Sequence, residues 1–171
     1  MTISSFIPSS WQNQNIILYH GTIEIHVASI LNRIDVNKGS PYSDFGRGFY
    51  TTTIERQASS WAWQISRQIP GSSPAVIQFE VNRDALSALE CLCFVRGSFD
   101  AEDFWSFVFH CRRGNTGHQR TTGKDIWYDV VIGPVAAFWN QRLVLSDSDQ
   151  FGFHTDDAAD LLNQSNPQRI S

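Results

Sequence analysis

The sequence predicts a single α+β domain, in which short strands and short helices are mixed without the regular βαβ alternation of a parallel sheet. Its 171 residues are enough to build one sizeable core and are short for two. Hydrophobic residues make up 42% of the chain and charged residues 18%, a composition that excludes a disordered tail or a coiled coil. We therefore expect residues 1–171 to form one domain, with residues 1–14 and 164–171 at its periphery.

The first half of the chain predicts strands and helices in irregular order. The apolar run from Ile16 to Tyr19 predicts a buried strand, and Thr22 is a suitable cap for a helix after it. Residues 37–47 are polar and rich in Gly and Pro, which predicts a loop. Thr53 is a suitable cap for a second helix. The segment from Pro74 to Val81 then predicts a half-buried strand, because apolar and polar residues alternate from Ile77 onward.

The second half predicts two further strands and two helices. Acidic residues at 100 and 103 precede an apolar periodicity that is typical of a helix. The run from Asp129 to Ile132 predicts a strand that ends at a Gly-Pro turn, and Phe151 to His154 predicts the last strand. Residues 155–157 are suitable caps for a terminal helix, after which we expect the chain to fray beyond Asn163.

Charge and targeting signals limit the possible functions. The net charge of −4 argues against a protein that coats nucleic acid by charge alone. We find neither a secretory signal nor an apolar run long enough to cross a membrane, so we expect a cytoplasmic protein without membrane contact, with delivery into another cell left open. The cysteines Cys91, Cys93 and Cys111 lack the spacing of a zinc site. We expect reduced thiols and no metal.

Two short motifs indicate a binding site. The first, Tyr19-His20-Gly21-Thr22, places an imidazole at a strand end, next to a glycine whose backbone a planar ligand can approach closely. Taken alone, it is more typical of a histidine at the core edge followed by a turn glycine. The second runs from Asp44 to Thr52 and contains Phe45-Gly46-Arg47-Gly48-Phe49-Tyr50, a loop that leads into a strand. It lacks the Gly-Lys-Ser/Thr ending of a P-loop.

Together these motifs resemble the ADP-ribosyltransferase superfamily, in the branch of diphtheria toxin and the poly(ADP-ribose) polymerases. The chain also resembles small bacterial domains of unknown function assigned to that superfamily. The resemblance implies a fold of split, mixed or antiparallel sheets with short flanking helices. In the polymerases a second aromatic residue follows the motif tyrosine by eleven positions, and Trp61 occupies that position here.

The resemblance also implies roles in binding NAD, which would be a substrate. The Gly21 backbone would bind the carboxamide, and His20 would form a hydrogen bond with a ribose hydroxyl. Tyr50 and Trp61 would stack on the two faces of the nicotinamide ring, where a cationic pyridinium gains about 1–2 kcal/mol. Other motif residues belong to the same expected binding surface, namely Thr22, Gly48 and Phe49.

The third catalytic residue of this superfamily is usually a Glu at the start of a late strand, but no Glu follows Glu102 in this chain. Two replacements are available. Gln150 precedes a strand and then a helix, as the family's Glu does, and Asp129 precedes the strand 130–132. Because an amide cannot act as a base, chain elongation is not expected if Gln150 takes this position. The resemblance also implies that Gln150→Glu raises NAD cleavage.

One basic segment is a candidate surface for the target. The residues from His110 to Lys124 include several cations and no acidic residue. Such a segment is either a solvated loop or a docking surface for an anionic partner. The candidate target-binding residues are Arg112, Arg113, Arg120 and Lys124.

The resemblance therefore implies an NAD-dependent mono-ADP-ribosyltransferase, a glycosyltransferase that modifies a protein, an RNA or a DNA. Such enzymes serve as bacterial toxins, effectors or defence enzymes, and a toxin would require an antitoxin or immunity protein as its partner. The alternatives are a catalytically inactive module that binds NAD, ADP-ribose or a partner, and an NAD hydrolase.

Overall fold

The computed structural model of the chain describes residues 13–95, 101–114, 117–119 and 125–171. These residues form a mixed α+β fold with two main sheets, as the sequence predicts. The strands are β1 Ile16–Ile23, β2 Phe49–Thr51, β3 Pro74–Val81, β4 Cys91–Cys93, β5 His118–Gln119, β6 Asp125–Ile126, β7 Val130–Gly133, β8 Gln150–Phe153 and β9 Gln168–Arg169. The helices are α1 Glu24–Asn32, α2 Glu55–Ser66, α3 Arg83–Ser87, α4 Ala101–Arg112 and α5 Asp156–Asn163.

The first sheet has the strand order β1-β3-β9 and is antiparallel throughout. β1 and β3 pair along their whole length, from Ile16 opposite Val81 to Ile23 opposite Pro74. The predicted alternation of β3 is confirmed from Phe79 to Val81, where Glu80 is exposed between two buried residues. Residues 75–77 are all buried, because α2 covers the other face of the sheet there. This sheet carries the first motif at the end of its β1 strand.

The second sheet has the order β2-β8-β7-β4 and is mixed, since β4 and β7 are parallel and the other pairs are antiparallel. It carries the second motif on β2. The two sheets meet where Tyr19 of β1 and Thr52 exchange backbone hydrogen bonds of 2.8 and 2.9 Å. The largest apolar core lies between them and includes Leu18, Phe79 and Phe153. The motifs are therefore brought together across the junction of the sheets.

Three helices support these sheets. α2 packs against β1 through Ala58 and Ala62, whose small side chains allow close approach. α4 buries Phe104 and Val108 on its inner face, as predicted. α5 begins after Thr155, whose hydroxyl accepts a hydrogen bond from the Ala158 N–H at 3.2 Å, so the predicted cap is confirmed.

Three details of the sequence prediction are wrong. Thr22 does not cap α1, because β1 continues through it to Ile23. Thr53 does not cap α2, because its hydroxyl donates to Asp149 and the helix begins one residue later, after Ile54. The chain after Asn163 is not frayed, because β9 pairs with β3 and residues 170 and 171 continue the pairing through Val76.

No helix in the described ranges is long and apolar enough to span a membrane. Of the segment 1–14 that we expect at the periphery, residues 1–12 lie outside the described part of the chain.

Candidate functional site

A large cleft of about 1490 Å³ opens between the two sheets, with α1 and α2 on one side and the β7–β8 loop on the other. Its volume exceeds that of most small-molecule sites, which makes it large enough for a dinucleotide. Both motifs and the start of β8 contribute to its lining. The predicted site residues that line it are His20, Gly21, Thr22, Gly48, Phe49, Tyr50, Trp61, Arg112 and Gln150.

His20 is held on the cleft lining as a neutral hydrogen-bond acceptor. Its Nδ1 lies 2.6 Å from the Tyr50 carbonyl oxygen, and its ring stacks on Phe49 with a centroid distance of 4.2 Å. A carbonyl can only accept, so Nδ1 carries the proton. Burial lowers the pKa of His20 to about 4, so the ring is neutral at pH 7. Nε2 therefore retains a lone pair that can accept a hydrogen bond from a ligand hydroxyl.

Gly21 is glycine because of helix packing. A Cβ atom at this position would lie 2.0 Å from the Ala58 carbonyl oxygen of α2. The space above the Gly21 Cα is therefore filled by the helix, and the expectation that glycine admits a ligand there is corrected.

The Gly21 backbone still points toward the cleft. Two residues earlier, the N–H and C=O of Tyr19 face away from β3 and bond to Thr52. Because backbone groups two residues apart in a strand face the same side, the N–H and C=O of Gly21 also face away from β3.

Tyr50 is fixed through its hydroxyl. The hydroxyl donates to the Gly46 carbonyl at 2.6 Å and accepts from the Phe45 N–H at 3.1 Å. Burial raises the pKa of the Tyr50 phenol well above its usual value, so it remains a proton donor. Gly48 is required nearby, because a Cβ there would lie 2.6 Å from the Phe153 carbonyl oxygen. Tyr50 thus presents its ring, not a free hydroxyl, to the cleft.

Trp61 lies on α2 and is 57% exposed at the cleft. A side chain this large normally buries most of its surface in a folded domain. On α2 the residues that pack inward are Ala58, Ala62 and Ser66, so the Trp61 ring is left to face the cleft.

Gln150 begins β8 and is 8% exposed. Its Nε2 donates to Asp44 Oδ2 at 2.7 Å and to the Pro134 carbonyl at 3.0 Å. Asp44 also accepts two hydrogen bonds from Arg112 and one from the Ala136 N–H. The structure therefore brings Gln150 into the same cleft as His20. This agrees with the strand and helix that follow Gln150 in the sequence, which favour it over Asp129 as the third site residue.

Asp129, the alternative third residue, does not line this cleft in the described part of the chain. Its carboxylate accepts from the Glu90 N–H at 2.8 Å and from the Thr155 hydroxyl at 2.6 Å. These bonds join the entry of β7 to the start of α5. Since both carboxylate oxygens serve the fold, we drop Asp129 as a candidate catalytic residue.

Asp149 does not line the cleft but supports it, a role that the sequence did not predict. It accepts from the Thr52 hydroxyl at 2.5 Å and from the Thr53 N–H at 2.9 Å, and its carbonyl accepts from Gln57 at 2.7 Å. These contacts fasten the entry of β8 to the start of α2, so they help to fix Gln150. An acidic residue in a polar loop gave no signal of this role, nor did Asp44.

The basic segment, residues 110–124, does not form a continuous exposed surface in its described part. Arg112 forms an ion pair of 2.5 Å with buried Asp44, so its charge is neutralised within the cleft wall. Arg113 is exposed and does not line the cleft, while Arg120 and Lys124 lie outside the described residues. His118, which the sequence counted in this segment, is buried beside the Phe45 carbonyl. Among the described residues, no group of three His, Cys, Asp or Glu side chains is placed to hold a metal ion.

Comparison with known proteins finds a match to one family model. The model of a family described as a protein of unknown function (DUF3990) matches residues 16–144. This range includes both motifs and ends before Gln150. No curated protein matches the chain.

Proposed function

We propose that this chain, which belongs to the DUF3990 family, is an NAD-dependent mono-ADP-ribosyltransferase built on split, mixed sheets. The observation that carries the proposal is the cleft, in which His20, Tyr50 and Gln150 meet from three distant parts of the chain. The resemblance to ADP-ribosyltransferases requires these three positions to share one site, although nothing in the linear sequence ensures that they do.

The cleft has groups that suit the nicotinamide and the pyrophosphate of NAD. The Gly21 backbone offers one donor and one acceptor, which match a carboxamide. Trp61 and Tyr50 offer aromatic surfaces for the nicotinamide ring. The lining also includes exposed cations that suit the pyrophosphate. They are Arg33 directly after α1, which also pairs with Asp160 at 3.4 Å, Lys38 in the following segment and Arg56 on α2.

The ribose hydroxyl groups would face two hydrogen-bond acceptors in the cleft. His20 Nε2 has a lone pair, and the amide oxygen of Gln150 points away from Asp44. Two acceptors suit a sugar with neighbouring hydroxyl groups. Held in this way, the bond between C1′ of the ribose and the nicotinamide nitrogen breaks, and the nitrogen keeps the electron pair. The acceptor's nucleophile then bonds to C1′ and releases its proton to water.

Gln150 restricts the chemistry to a single transfer. An amide does not take up a proton near neutral pH, so it cannot activate a further ribose hydroxyl as a nucleophile. The acceptor is then a protein or a nucleic acid that supplies a reactive group of its own. This activity fits a cytoplasmic toxin, effector or defence enzyme that acts in the producing cell or in another one, controlled by an antitoxin or immunity protein.

A module that binds NAD or ADP-ribose without chemistry is the second candidate. The neutral amide at position 150 favours it, because no carboxylate stabilises the positive charge that develops on the ribose. An NAD hydrolase is the third, with water in place of the macromolecular acceptor.

Incubation of the purified protein with labelled NAD and a cell lysate tests the proposal. We expect label in the protein, RNA or DNA fraction, and a loss of that label with a folded His20→Ala variant. Release of nicotinamide without labelled macromolecule would indicate the hydrolase instead. NAD that is bound but intact would indicate the binding module.

A further inference from the structure

Asp44 lies at the centre of a buried polar network beneath the cleft. It is 4% exposed, and its Oδ1 accepts from Nε and Nη2 of Arg112 at 2.8 and 2.5 Å. Its Oδ2 accepts from the Ala136 N–H at 2.8 Å and from Gln150 Nε2 at 2.7 Å. A buried carboxylate must be paired and hydrogen-bonded in this way, because an unpaired one is costly. The network joins the motif loop to α4, to the β7–β8 loop and to β8.

This network fixes which end of the Gln150 amide faces the ligand. Both partners of Nε2, Asp44 Oδ2 and the Pro134 carbonyl, can only accept hydrogen bonds. The amide therefore cannot turn over, since its oxygen would then face two acceptors. Its Oε1 lies on the other branch of the planar group, and within the described ranges no group donates to it. Gln150 thus presents a fixed acceptor to the cleft that it lines.

We propose that Asp44 is a positioning residue that holds Gln150 as an obligatory hydrogen-bond acceptor for a ligand hydroxyl, and that this arrangement excludes a carboxylate at position 150. The identity of that hydroxyl as a ribose hydroxyl rests on the proposed function. The orientation of Gln150 does not, because it depends only on Asp44 and Pro134.

The proposal reverses what the resemblance implies for Gln150→Glu. A glutamate would place a carboxylate oxygen where Nε2 now donates, within hydrogen-bond distance of Asp44 Oδ2 and the Pro134 carbonyl. Two like charges at this separation cannot both ionise without cost, so the pair would hold a proton at neutral pH or force the side chain out of place. We therefore expect the family's own residue to impair this site.

Denaturation at two pH values tests the orientation without NAD. We compare Gln150→Glu with the matched truncation Gln150→Ala, so that pH effects common to both cancel. The pKa of a carboxyl beside Asp44 is raised in the folded state, so its stability deficit grows as pH rises above the value for an unfolded glutamate, about 4.3. The other charged groups around this position are Arg112, which is shared with Asp44, and Asp149, which is bound by Thr52 and Thr53. Tyr50 and Cys111 also face Asp44 and stay protonated at both pH values, because burial raises the pKa of each group.

At pH 8 the urea midpoint of Gln150→Glu should lie below that of Gln150→Ala, and the gap should close toward pH 5. The double variant Asp44→Asn with Gln150→Glu carries the same total charge as the wild type, with the carboxylate moved. Its midpoint at pH 8 should exceed that of Gln150→Glu, although Asp44→Asn alone is destabilising. Equal midpoints for Gln150→Glu and Gln150→Ala at both pH values, or no rescue in the double variant, would overturn the role of Asp44.

NAD consumption is the second measurement. The proposal predicts that Gln150→Glu is no faster than Gln150→Ala, and that Asp44→Asn lowers kcat/KM by roughly 10- to 100-fold because Gln150 is no longer held. A Gln150→Glu enzyme faster than wild type would refute it. If the wild type consumes no NAD, the proposed function fails, whereas the two-pH denaturation still decides whether Asp44 positions Gln150.

Discussion

Gly21→Ala should destabilise the protein strongly, although it adds a single methyl group. The added Cβ would lie 2.0 Å from the Ala58 carbonyl oxygen and 3.1 Å from the Ala62 nitrogen. Real Cβ atoms do not approach other heavy atoms within 3.0 Å, so α2 must move away from β1 by about 1 Å. The contacted atoms belong to the backbone of α2 and the position of a Cβ is fixed by its own backbone, so no side-chain rotation relieves the clash. We expect a loss of about 3 kcal/mol, the upper end for an overpacked core.

Thermal and urea denaturation measure this loss. For a chain of this length, 3 kcal/mol lowers Tm by roughly 6–12 °C. Gly71→Ala is the control. Gly71 has a positive φ of +77°, which favours glycine, but a Cβ there would have no heavy atom within 4 Å. It should cost about 1 kcal/mol through backbone strain alone. If Gly21→Ala is no less stable than Gly71→Ala, α2 does not pack on β1 as described, and the explanation of this glycine is wrong.

Two further predictions concern the cleft and its aromatic surroundings. Trp61→Ala should weaken NAD binding and leave Tm unchanged, because the ring is exposed at the cleft. Trp61→Phe should weaken NAD binding less. A drop in Tm without a change in NAD affinity would contradict the role of Trp61. Burial lowers the pKa of His154 to about 3 and that of His20 to about 4, so the unfolded chain binds more protons than the folded one at acidic pH. Stability should be full above pH 6.5 and fall by about 1.4 kcal/mol per pH unit for each histidine as pH drops toward 4, and His154→Phe should reduce that slope in urea denaturation at several pH values. An unchanged slope would show that folding does not lower the pKa of His154.

Strand positions were predictable where one face is buried. The segment from Pro74 to Val81 was predicted as a strand with the bounds of β3, because period-2 burial in its second half leaves a direct trace in the sequence. β9 was missed, because Gln168 and Arg169 are exposed on both faces and pair only through their backbones. The caps at Thr22 and Thr53 were wrong, because a strand and a carboxylate from a distant loop compete for these residues.

The site residues that belong to the two sequence motifs were predictable. His20 and Tyr50 could be matched to a known pattern, and the cleft brings them together. The supporting network could not be predicted, because Asp44 and Gln150 are 106 residues apart and meet only through the fold. The motif glycine Gly21 was located correctly but explained incorrectly, since sequence alone does not show that α2 passes over it.

Titration calorimetry of the purified protein with NAD tests the central claim most directly, because the proposed transferase requires NAD in this cleft. We predict saturable binding of one NAD per chain, weakened at least about tenfold in a folded His20→Ala variant that loses the ribose contact. The surface variant Arg113→Ala, outside the cleft, should bind as the wild type does. Absence of binding at millimolar NAD, or equal affinity for the wild type and His20→Ala, would contradict the account.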